Sequence, residues 1–232
     1  LKKSILYSEI TIEKFTELKN VDFIIFTSIH KSKDNKPALT IHAPGNWRSA
    51  QYGGKEGIVC MSSAGVFKFL FQELEKNANE NKKIYEKYAI TMEATHHGPL
   101  VNIPCCFIEI GSTDEEYNDT YAAEVVAQTI LSLQNYKENK NWIPVIAIGG
   151  PHYTPTFNKV QIKSDYAISH IIPYYSLPLT EKILKEAEEK TKEQVKTILV
   201  DWKGCGNAEQ RDKTITVIKK FGFNYKRADS FT

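Results

Sequence analysis

The feature that most constrains the fold is an alternation of short apolar runs with segments of helical period. The runs are rich in β-branched and aromatic residues, which predicts buried strands. They occupy 5–7, 23–27, 39–42, 88–95, 105–110, 145–148 and 197–200. Because strands that alternate with helices form mostly parallel sheets covered by helices, the sequence predicts an α/β fold with a mostly parallel central sheet.

The segments between these runs carry apolar residues at the spacing of a helix face. The predicted helices cover 11–18, 64–74, 114–134, 180–190 and 207–221. Thr113 and Glu116 have the spacing of a capping box, and Asn207 is a suitable cap for the last helix. The polar stretch 76–83 predicts a loop or a frayed helix end. No domain boundary is recognisable, so residues 1–232 are expected to form one domain.

Composition excludes several classes of protein. Hydrophobic residues make up 41% and charged residues 25% of the chain, which is typical of a globular protein with a substantial core. The formal net charge is only +2, so RNA binding requires a local basic patch. The four cysteines form no C-x-x-C pair, which favours a reducing cytoplasm over a disulfide framework. No apolar run approaches the ~20 residues that span a bilayer.

Histidines, glutamates and glycines gather where predicted strands end, which is where open α/β sheets bind ligands. These residues are Glu93, His96, His97, Gly98, Glu109, Gly149, Gly150 and His152, with His42 after an earlier strand. Imidazole can bind zinc or act as a general base near neutral pH. A carboxylate can orient a histidine or take a proton from water, and glycine N–H groups can stabilise an oxyanion. The pattern predicts a histidine-rich hydrolytic or metal site and leaves the substrate open.

A structural interpretation stands beside each of these. In an extended strand His96 and His97 point to opposite faces, so one of them can be structural. The pair Gly149–Gly150 fits a tight turn, and Glu109 fits a position near the N-terminus of the next helix. His30 is interpreted as a structural histidine. The sequence contains no spacing such as H-E-x-x-H that is diagnostic of a metal site.

The densest set of cations lies in the C-terminal section. The positions are Lys203, Arg211, Lys213, Lys219, Lys220, Lys226 and Arg227. Such a set can contact phosphates, and the alternative is a solvated helix face. The candidate RNA contacts are Lys203, Arg211, Lys219 and Lys220.

Several motifs occur in an order that resembles a known family. They are L-T-I-H-A-P-G-N at 39–46, E-A-T-H-H-G-P at 93–99, F-I-E-I-G-S-T at 107–113, G-G-P-H-Y-T-P at 149–155 and S-H-I-I-P-Y at 169–174. Over almost its whole length the chain is similar to the archaeal and plant type of D-aminoacyl-tRNA deacylase. Pro151 and Ser169 depart from glycines that the family usually has, but both departures keep the adjacent histidine.

The resemblance implies a cytoplasmic, monomeric hydrolase that cuts the ester between a D-amino acid and the terminal ribose of tRNA. It also implies zinc (Zn2+) as cofactor and a fold similar to peptidyl-tRNA hydrolase and purine nucleoside phosphorylase cores. The first candidates for catalysis and metal binding are His96, His97 and His152. Glu93 and Glu109 are candidate orienting or proton-handling carboxylates. The candidates for substrate binding are His42, His170, Gly98, Gly149 and Gly150.

Two alternatives remain at this point. One is another hydrolase on the same core, such as a peptidyl-tRNA hydrolase or a zinc amidohydrolase. The other is a non-catalytic tRNA-binding module, which would need basic and aromatic surface rather than dense histidines. The chirality preference and the number of metal ions cannot be deduced from these residues.

Overall fold

A computed structural model describes residues 20–231, so the predicted elements at 5–7 and 11–18 lie outside the described residues. The strands are β1 Ile24–His30, β2 Ala38–His42, β3 Ala89–Met92, β4 Cys105–Gly111, β5 Ile143–Ile148, β6 Tyr166–Ile172, β7 Thr197–Val200 and β8 Asn224–Arg227. The helices are α1 Ala64–Glu80, α2 Lys82–Lys87, α3 Asp114–Tyr117, α4 Thr120–Leu131, α5 Pro155–Lys163, α6 Glu181–Glu189 and α7 Ala208–Lys220. None of these helices is long and apolar enough to cross a membrane.

The α/β class is confirmed, but the strands form two sheets rather than one central sheet. The first has the order β1-β4-β2-β3, and the β2–β4 pairing in it is antiparallel. The second has the order β6-β5-β7-β8 and is parallel throughout. The segment after β3 joins them, because the N–H groups of Ala94 and Thr95 donate to the carbonyls of His152 and Ile171. This segment therefore lies at the junction between the sheets.

The two faces of the first sheet differ in chemistry, because side chains alternate along a strand. One face is apolar and belongs to the main core with α1 and α4; it includes Leu39, Ile41, Cys106 and Ile108. On the other face, the β-sheet register aligns Ser28, Glu109 and Thr40 in one row across β1, β4 and β2. The next row contains Phe26, Phe107 and His42. The sheet thus carries polar groups on a rigid support whose reverse side is the core.

The predicted helix over 114–134 is wrong in its continuity. The predicted capping box of Thr113 and Glu116 is confirmed and begins α3, which ends at Tyr117. The Asp119 side chain then accepts the N–H groups of Tyr121 and Ala122 and caps α4 as a new helix. Aspartate is among the strongest N-caps, so a second helix start inside the predicted one has a local cause.

Other elements confirm or extend the sequence predictions. The helices at 180–190 and 207–221 are present as α6 and α7, and Asn207 caps α7. The polar stretch at 76–83, predicted as a loop or a frayed helix end, continues α1 to Glu80, because Ala78 is buried in the core and Asn77 donates to Thr129 Oγ1. The strands β6 and β8 were not predicted. Ser169 and His170 interrupt the apolar run of β6, and β8 is a polar strand at a sheet edge.

A buried lysine connects α1 to the end of α5 and the start of β6. Lys68 is 0% exposed, and its Nζ donates to the carbonyls of Gln161, Ser164 and Tyr166. The last carbonyls of a helix have no partner within the helix, so the ammonium group supplies donors that the backbone lacks. Burial lowers the pKa of Lys68 to about 8, which leaves the side chain mostly protonated at pH 7.

The Lys68→Met substitution should lower the free energy of unfolding by about 3 kcal/mol, because buried carbonyl groups lose their donor. The measurement is urea denaturation at pH 7. Lys76→Met is the matched control on the same helix, since the Lys76 side chain is 58% exposed and should change stability by less than about 0.5 kcal/mol. Equal unfolding midpoints for the two variants would contradict this account of Lys68.

Candidate active site and metal-binding cluster

Five histidines and two glutamates meet on the polar face of the first sheet, beside the junction with the second. We call this group the His/Glu cluster; its members are His30, His42, Glu93, His96, His97, Glu109 and His152. Glu93 lies among them, with ring nitrogens of four histidines 3.0 to 4.0 Å from its carboxylate oxygens. The sequence candidates at 93, 96, 97, 109 and 152 are thus brought together, and His42 joins them.

Glu93 is held in the interior by the backbone. Its N–H donates to the Ile41 carbonyl at 3.0 Å, directly after β3 ends, and the residue is 1% exposed. Neither carboxylate oxygen accepts a hydrogen bond from the described residues, because the ring nitrogens lie at longer distances or unfavourable angles. Burial, assisted by the nearby Glu109 carboxylate, raises the pKa of Glu93 well above its usual value. A buried carboxylate without a donor is costly unless a proton, cation or ligand completes it.

Glu109 has the opposite electrostatic character. It lies inside β4 rather than at its end, which corrects the predicted strand-end position. Burial alone would raise its pKa, but ring nitrogens of His30 and His42, each 3.7 Å from Oε2, hold the pKa at about 2. Glu109 is therefore ionised, whereas the raised pKa makes the Glu93 carboxylate the stronger base of the two. Two carboxyl groups whose pKa values are pushed apart are typical of a site that handles protons.

The backbone fixes the ring orientation of three histidines. Nδ1 lies 2.8 Å from the Ala94 carbonyl in His96, 2.5 Å from the Gly98 carbonyl in His97 and 3.3 Å from the Ala43 carbonyl in His42. Because a carbonyl oxygen only accepts, each Nδ1 carries the proton and each Nε2 keeps a lone pair. This is the arrangement that orients metal-binding histidines.

Within residues 20–231, three overlapping sets of side chains can hold a metal ion. They are His42, His96 and His97; Glu93, His96 and His152; and His30, Glu93 and Glu109. Within each set the ligand atoms lie within 4.8 Å of one another. The buried Nε2 of His42 and both Glu93 oxygens have no hydrogen-bond partner among the described residues, so the donor atoms are present and unengaged.

Burial favours the neutral form of three histidines in the cluster. Burial, together with the neighbouring His42, lowers the pKa of His97 and of His152 to about 4. The same causes lower the pKa of His96 well below its usual value. Neutral imidazole is the form that binds a metal or accepts a proton, so these rings are in the reactive state at neutral pH.

An unusual backbone conformation turns both adjacent histidines into the cluster. His97 has φ of 43°, in the left-handed region that non-glycine residues rarely adopt. The ring centroids of His96 and His97 are 4.5 Å apart, which corrects the expectation that they point to opposite faces. The chain has already left β3 at this point, so strand alternation does not apply. Strain of this kind is concentrated at functional sites.

The glycines shape loops rather than donate to a ligand. The N–H of Gly149 donates to the Ile172 carbonyl and that of Gly150 to the Gly204 carbonyl. The N–H of Gly98 donates to the Tyr52 carbonyl. All three amides are therefore engaged and not free to hold an oxyanion in this conformation. Gly149 is required by close packing, because a Cβ there would lie 2.6 Å from the Cys205 sulfur.

Two histidines differ from their sequence interpretations. His170 is 0% exposed in β6, and its ring nitrogens lie 3.3 Å from Thr95 Oγ1 and 3.1 Å from the Lys190 carbonyl, so it lies outside the His/Glu cluster. His30, interpreted as structural, lies inside it, with Nδ1 3.0 Å from Glu93 and Nε2 2.6 Å from Tyr153 Oη. In the sequence, only its spacing from Phe26 and Ser28 indicates this, because alternate residues of a strand lie on the same face. Its significance depends on the β-sheet register, which the sequence does not specify.

The four candidate RNA contacts do not share one surface environment. Lys220 forms an ion pair with Glu181, and Lys219 lies 5.8 Å from the ring of Tyr225. Arg211 donates to the Gly206 carbonyl and lies 5.3 Å from the Trp202 ring. Lys203 is exposed in the loop between β7 and α7, which also contains Trp202. Its neighbour Gly204 accepts a hydrogen bond from the N–H of Gly150. Lys203 and Arg211 are thus the pair beside the glycine loop that precedes His152.

The fold and the cluster define an α/β protein with a hydrolase-type site of five histidines and two glutamates whose pKa values are shifted in opposite directions. Residues 17–226 match the family described as "D-aminoacyl-tRNA deacylase". The chain belongs to the D-aminoacyl-tRNA deacylase family, which confirms the resemblance predicted from its motifs and makes it an enzyme.

Individual relatives agree with this assignment. The chain is 39% identical over 218 residues to the D-aminoacyl-tRNA deacylase of Thermococcus kodakarensis, an alignment that covers 93% of this chain and 77% of the relative. It is 32% identical over 219 residues to the protein of that name from Methanocaldococcus jannaschii, covering 91% and 84%. Its fold is similar to the crystal structure of a conserved protein of unknown function, AF0625, with a TM-score of 0.84, 28% identity and coverage of 94% and 76%.

Proposed function

We propose that the chain hydrolyses D-aminoacyl-tRNA at the His/Glu cluster and releases the D-amino acid and free tRNA. The observation that carries this proposal is Glu93, a buried carboxylate that accepts no hydrogen bond from the described residues and has ring nitrogens of four histidines within 4.0 Å. A carboxylate with a raised pKa is suited to take a proton from water. Hydrolysis of an ester requires that step, because neutral water is a weak nucleophile.

The remaining proton transfers can be assigned to the same residues. Glu93 takes a proton from water as the water oxygen attacks the ester carbonyl carbon. The bond to the ribose oxygen then breaks, and that oxygen needs a proton to leave as a hydroxyl group. His152 is placed to carry to it the proton that Glu93 took from water, because its side chain is 35% exposed and its Nε2 lies 3.9 Å from Glu93 Oε1. Glu93 then returns to its ionised form. Glu109 stays ionised and orients His30.

Zinc is the cofactor that we propose for this site. Imidazole nitrogens are common zinc ligands, and His42, His96 and His97 offer Nε2 atoms whose orientation is fixed by carbonyls. The unpartnered Nε2 of His42 supports this set, because a buried polar atom without a partner is otherwise unfavourable. When bound, zinc supplies a Lewis acid and lowers the pKa of a bound water to about 7.

The test of the proposed activity is deacylation of D-tyrosyl-tRNA compared with L-tyrosyl-tRNA by the purified chain. We expect release of tyrosine from the D form and much slower release from the L form. Equal rates on both forms would contradict a deacylase of D-aminoacyl-tRNA. Hydrolysis of peptidyl-tRNA in preference to either would favour the alternative hydrolase class.

We further propose that the chain acts in the cytoplasm as a monomer and as one domain. The His/Glu cluster combines residues on and beside the first sheet with His152, which follows β5 of the second, and all of them come from one chain. Charged tRNA is a substrate of the compartment where translation occurs. Light scattering of active protein should give a mass near 26.4 kDa, and a dimer would contradict the monomer.

The tRNA body should dock on the surface around Trp202, where Lys203 and Arg211 lie beside the glycine loop. Reversing the charge in Lys203→Glu is expected to raise KM for D-aminoacyl-tRNA several-fold at low salt and to change kcat little, because phosphate contacts position the substrate. The control is Lys82→Glu on α2, whose side chain is 84% exposed. Lys220→Glu makes the same charge reversal at the C-terminal end of α7, away from Trp202. A KM that changes equally in all three variants would place the tRNA elsewhere.

A further inference from the structure

Two exposed tyrosines stand beside the His/Glu cluster and take no part in the mechanism above. Tyr174 and Tyr175 open the 3-10 turn that follows β6 and are 56% and 50% exposed. Tyr175 Oη lies 3.0 Å from His152 Nδ1, and the two tyrosine ring centroids are 5.5 Å apart at an interplanar angle of 79°. An aromatic surface therefore continues from the cluster to the solvent.

This surface has a fixed backbone. The N–H of Tyr174 donates to the Gly150 carbonyl at 3.0 Å, which ties the turn to the glycine loop. The Arg48 guanidinium donates to the carbonyls of Ser176 and Pro178, which ties the other end of the turn to the segment after β2. Aromatic rings on a turn held from both sides lose little freedom when a flat ligand stacks on them.

We propose that Tyr174 and Tyr175 form the subsite for the 3′-terminal base of tRNA, an inference that rests on the proposed function. The scissile ester and the terminal base are attached to the same ribose, so a carbonyl held at Glu93 and His152 leaves the base one sugar ring away. The exposed tyrosine pair begins at His152 and leads outward from there. Unpaired bases of RNA are commonly bound by stacking on aromatic side chains.

Tyr174 is the better residue for a test, because Tyr175 also contacts His152. The substrates are D-tyrosyl-tRNA, D-tyrosyl-adenosine and D-tyrosine methyl ester, and the last of these has no base. For each variant we compare kcat/KM for the two base-containing substrates with kcat/KM for the methyl ester. Tyr174→Ala should lower both ratios roughly tenfold or more, the usual loss when one stacking ring is removed.

Two control variants define the interpretation. Tyr174→Phe keeps the ring and should keep both ratios, and Tyr85→Ala removes a tyrosine that is 65% exposed on α2, at the far end of β3 from Glu93. Ratios unchanged in Tyr174→Ala, with wild-type enzyme active on D-tyrosyl-tRNA, would overturn this inference and leave the proposed function intact. A wild-type enzyme that cleaves only the methyl ester would overturn the proposed function and this inference together.

Discussion

Replacing Glu93 by glutamine is expected to lower kcat for D-aminoacyl-tRNA by roughly a hundredfold to ten-thousandfold, the range over which general bases contribute. The amide has nearly the shape of the carboxyl group but cannot take a proton from water. The Glu93 side chain is buried at the centre of the cluster, with histidine ring nitrogens at 3.0 to 4.0 Å. Bulk water is therefore excluded from its position and cannot act as the base in its place. Single-turnover hydrolysis of D-tyrosyl-tRNA measures the effect.

A buried glutamate outside the His/Glu cluster provides the matched control. Glu116 is 3% exposed, but it belongs to the capping box of α3 and has no part in the cluster. Glu116→Gln should cost about 1 kcal/mol of stability at most and leave kcat unchanged. Glu109→Gln should have an intermediate effect, because Glu109 orients His30 rather than contacting water in the proposed mechanism. A Glu93→Gln enzyme with near wild-type kcat would assign the base to another group of the His/Glu cluster.

Part of this site could be predicted because its residues are adjacent in sequence or follow apolar runs. The segment at 93–97 contains Glu93, His96 and His97, and His152 follows the run that becomes β5. Such local signals need only the rule that ligands bind at strand ends in open α/β sheets. The α/β class itself follows from the same alternation of apolar runs and helical segments.

The rest of the site depends on pairing between distant strands. Glu109 reaches His30 and His42 because β4 pairs with β1 in parallel and with β2 in antiparallel. Shifting either register by one residue would turn these side chains into the apolar core. The spacing of His30 along β1 does not by itself distinguish a site residue from a structural histidine. Its place in the cluster follows only from the register of β1 with β4.

The number of surface cations could be predicted from the sequence, but the side chains that they contact could not. The sequence identifies Lys219 and Lys220 as neighbouring cations, but it does not indicate that Lys220 lies against Glu181 of α6. An ion pair of this kind is exposed and weak, yet it lowers the positive charge that a phosphate would meet. Arg211 and Lys203 instead adjoin Trp202, so the fold divides one apparent basic patch into two surfaces.

Removing the proposed zinc ion is expected to abolish hydrolysis and to lower stability. A ligand that binds only the folded chain at a thousandfold above its Kd stabilises it by about 4 kcal/mol, so protein dialysed against a chelator should unfold at a lower temperature and recover with zinc. Metal content by mass spectrometry is the second measurement. It does not depend on activity.

His96→Ala should lose zinc, because His96 belongs to two of the three possible ligand sets. The matched control is His170→Ala, a buried histidine outside the cluster whose loss should reduce stability but leave the zinc content unchanged. The two variants separate loss of a ligand from loss of a packed ring. Active protein without stoichiometric metal, with turnover insensitive to the chelator, would contradict the zinc proposal. Glu93 and the neutral imidazoles would then carry the hydrolysis alone.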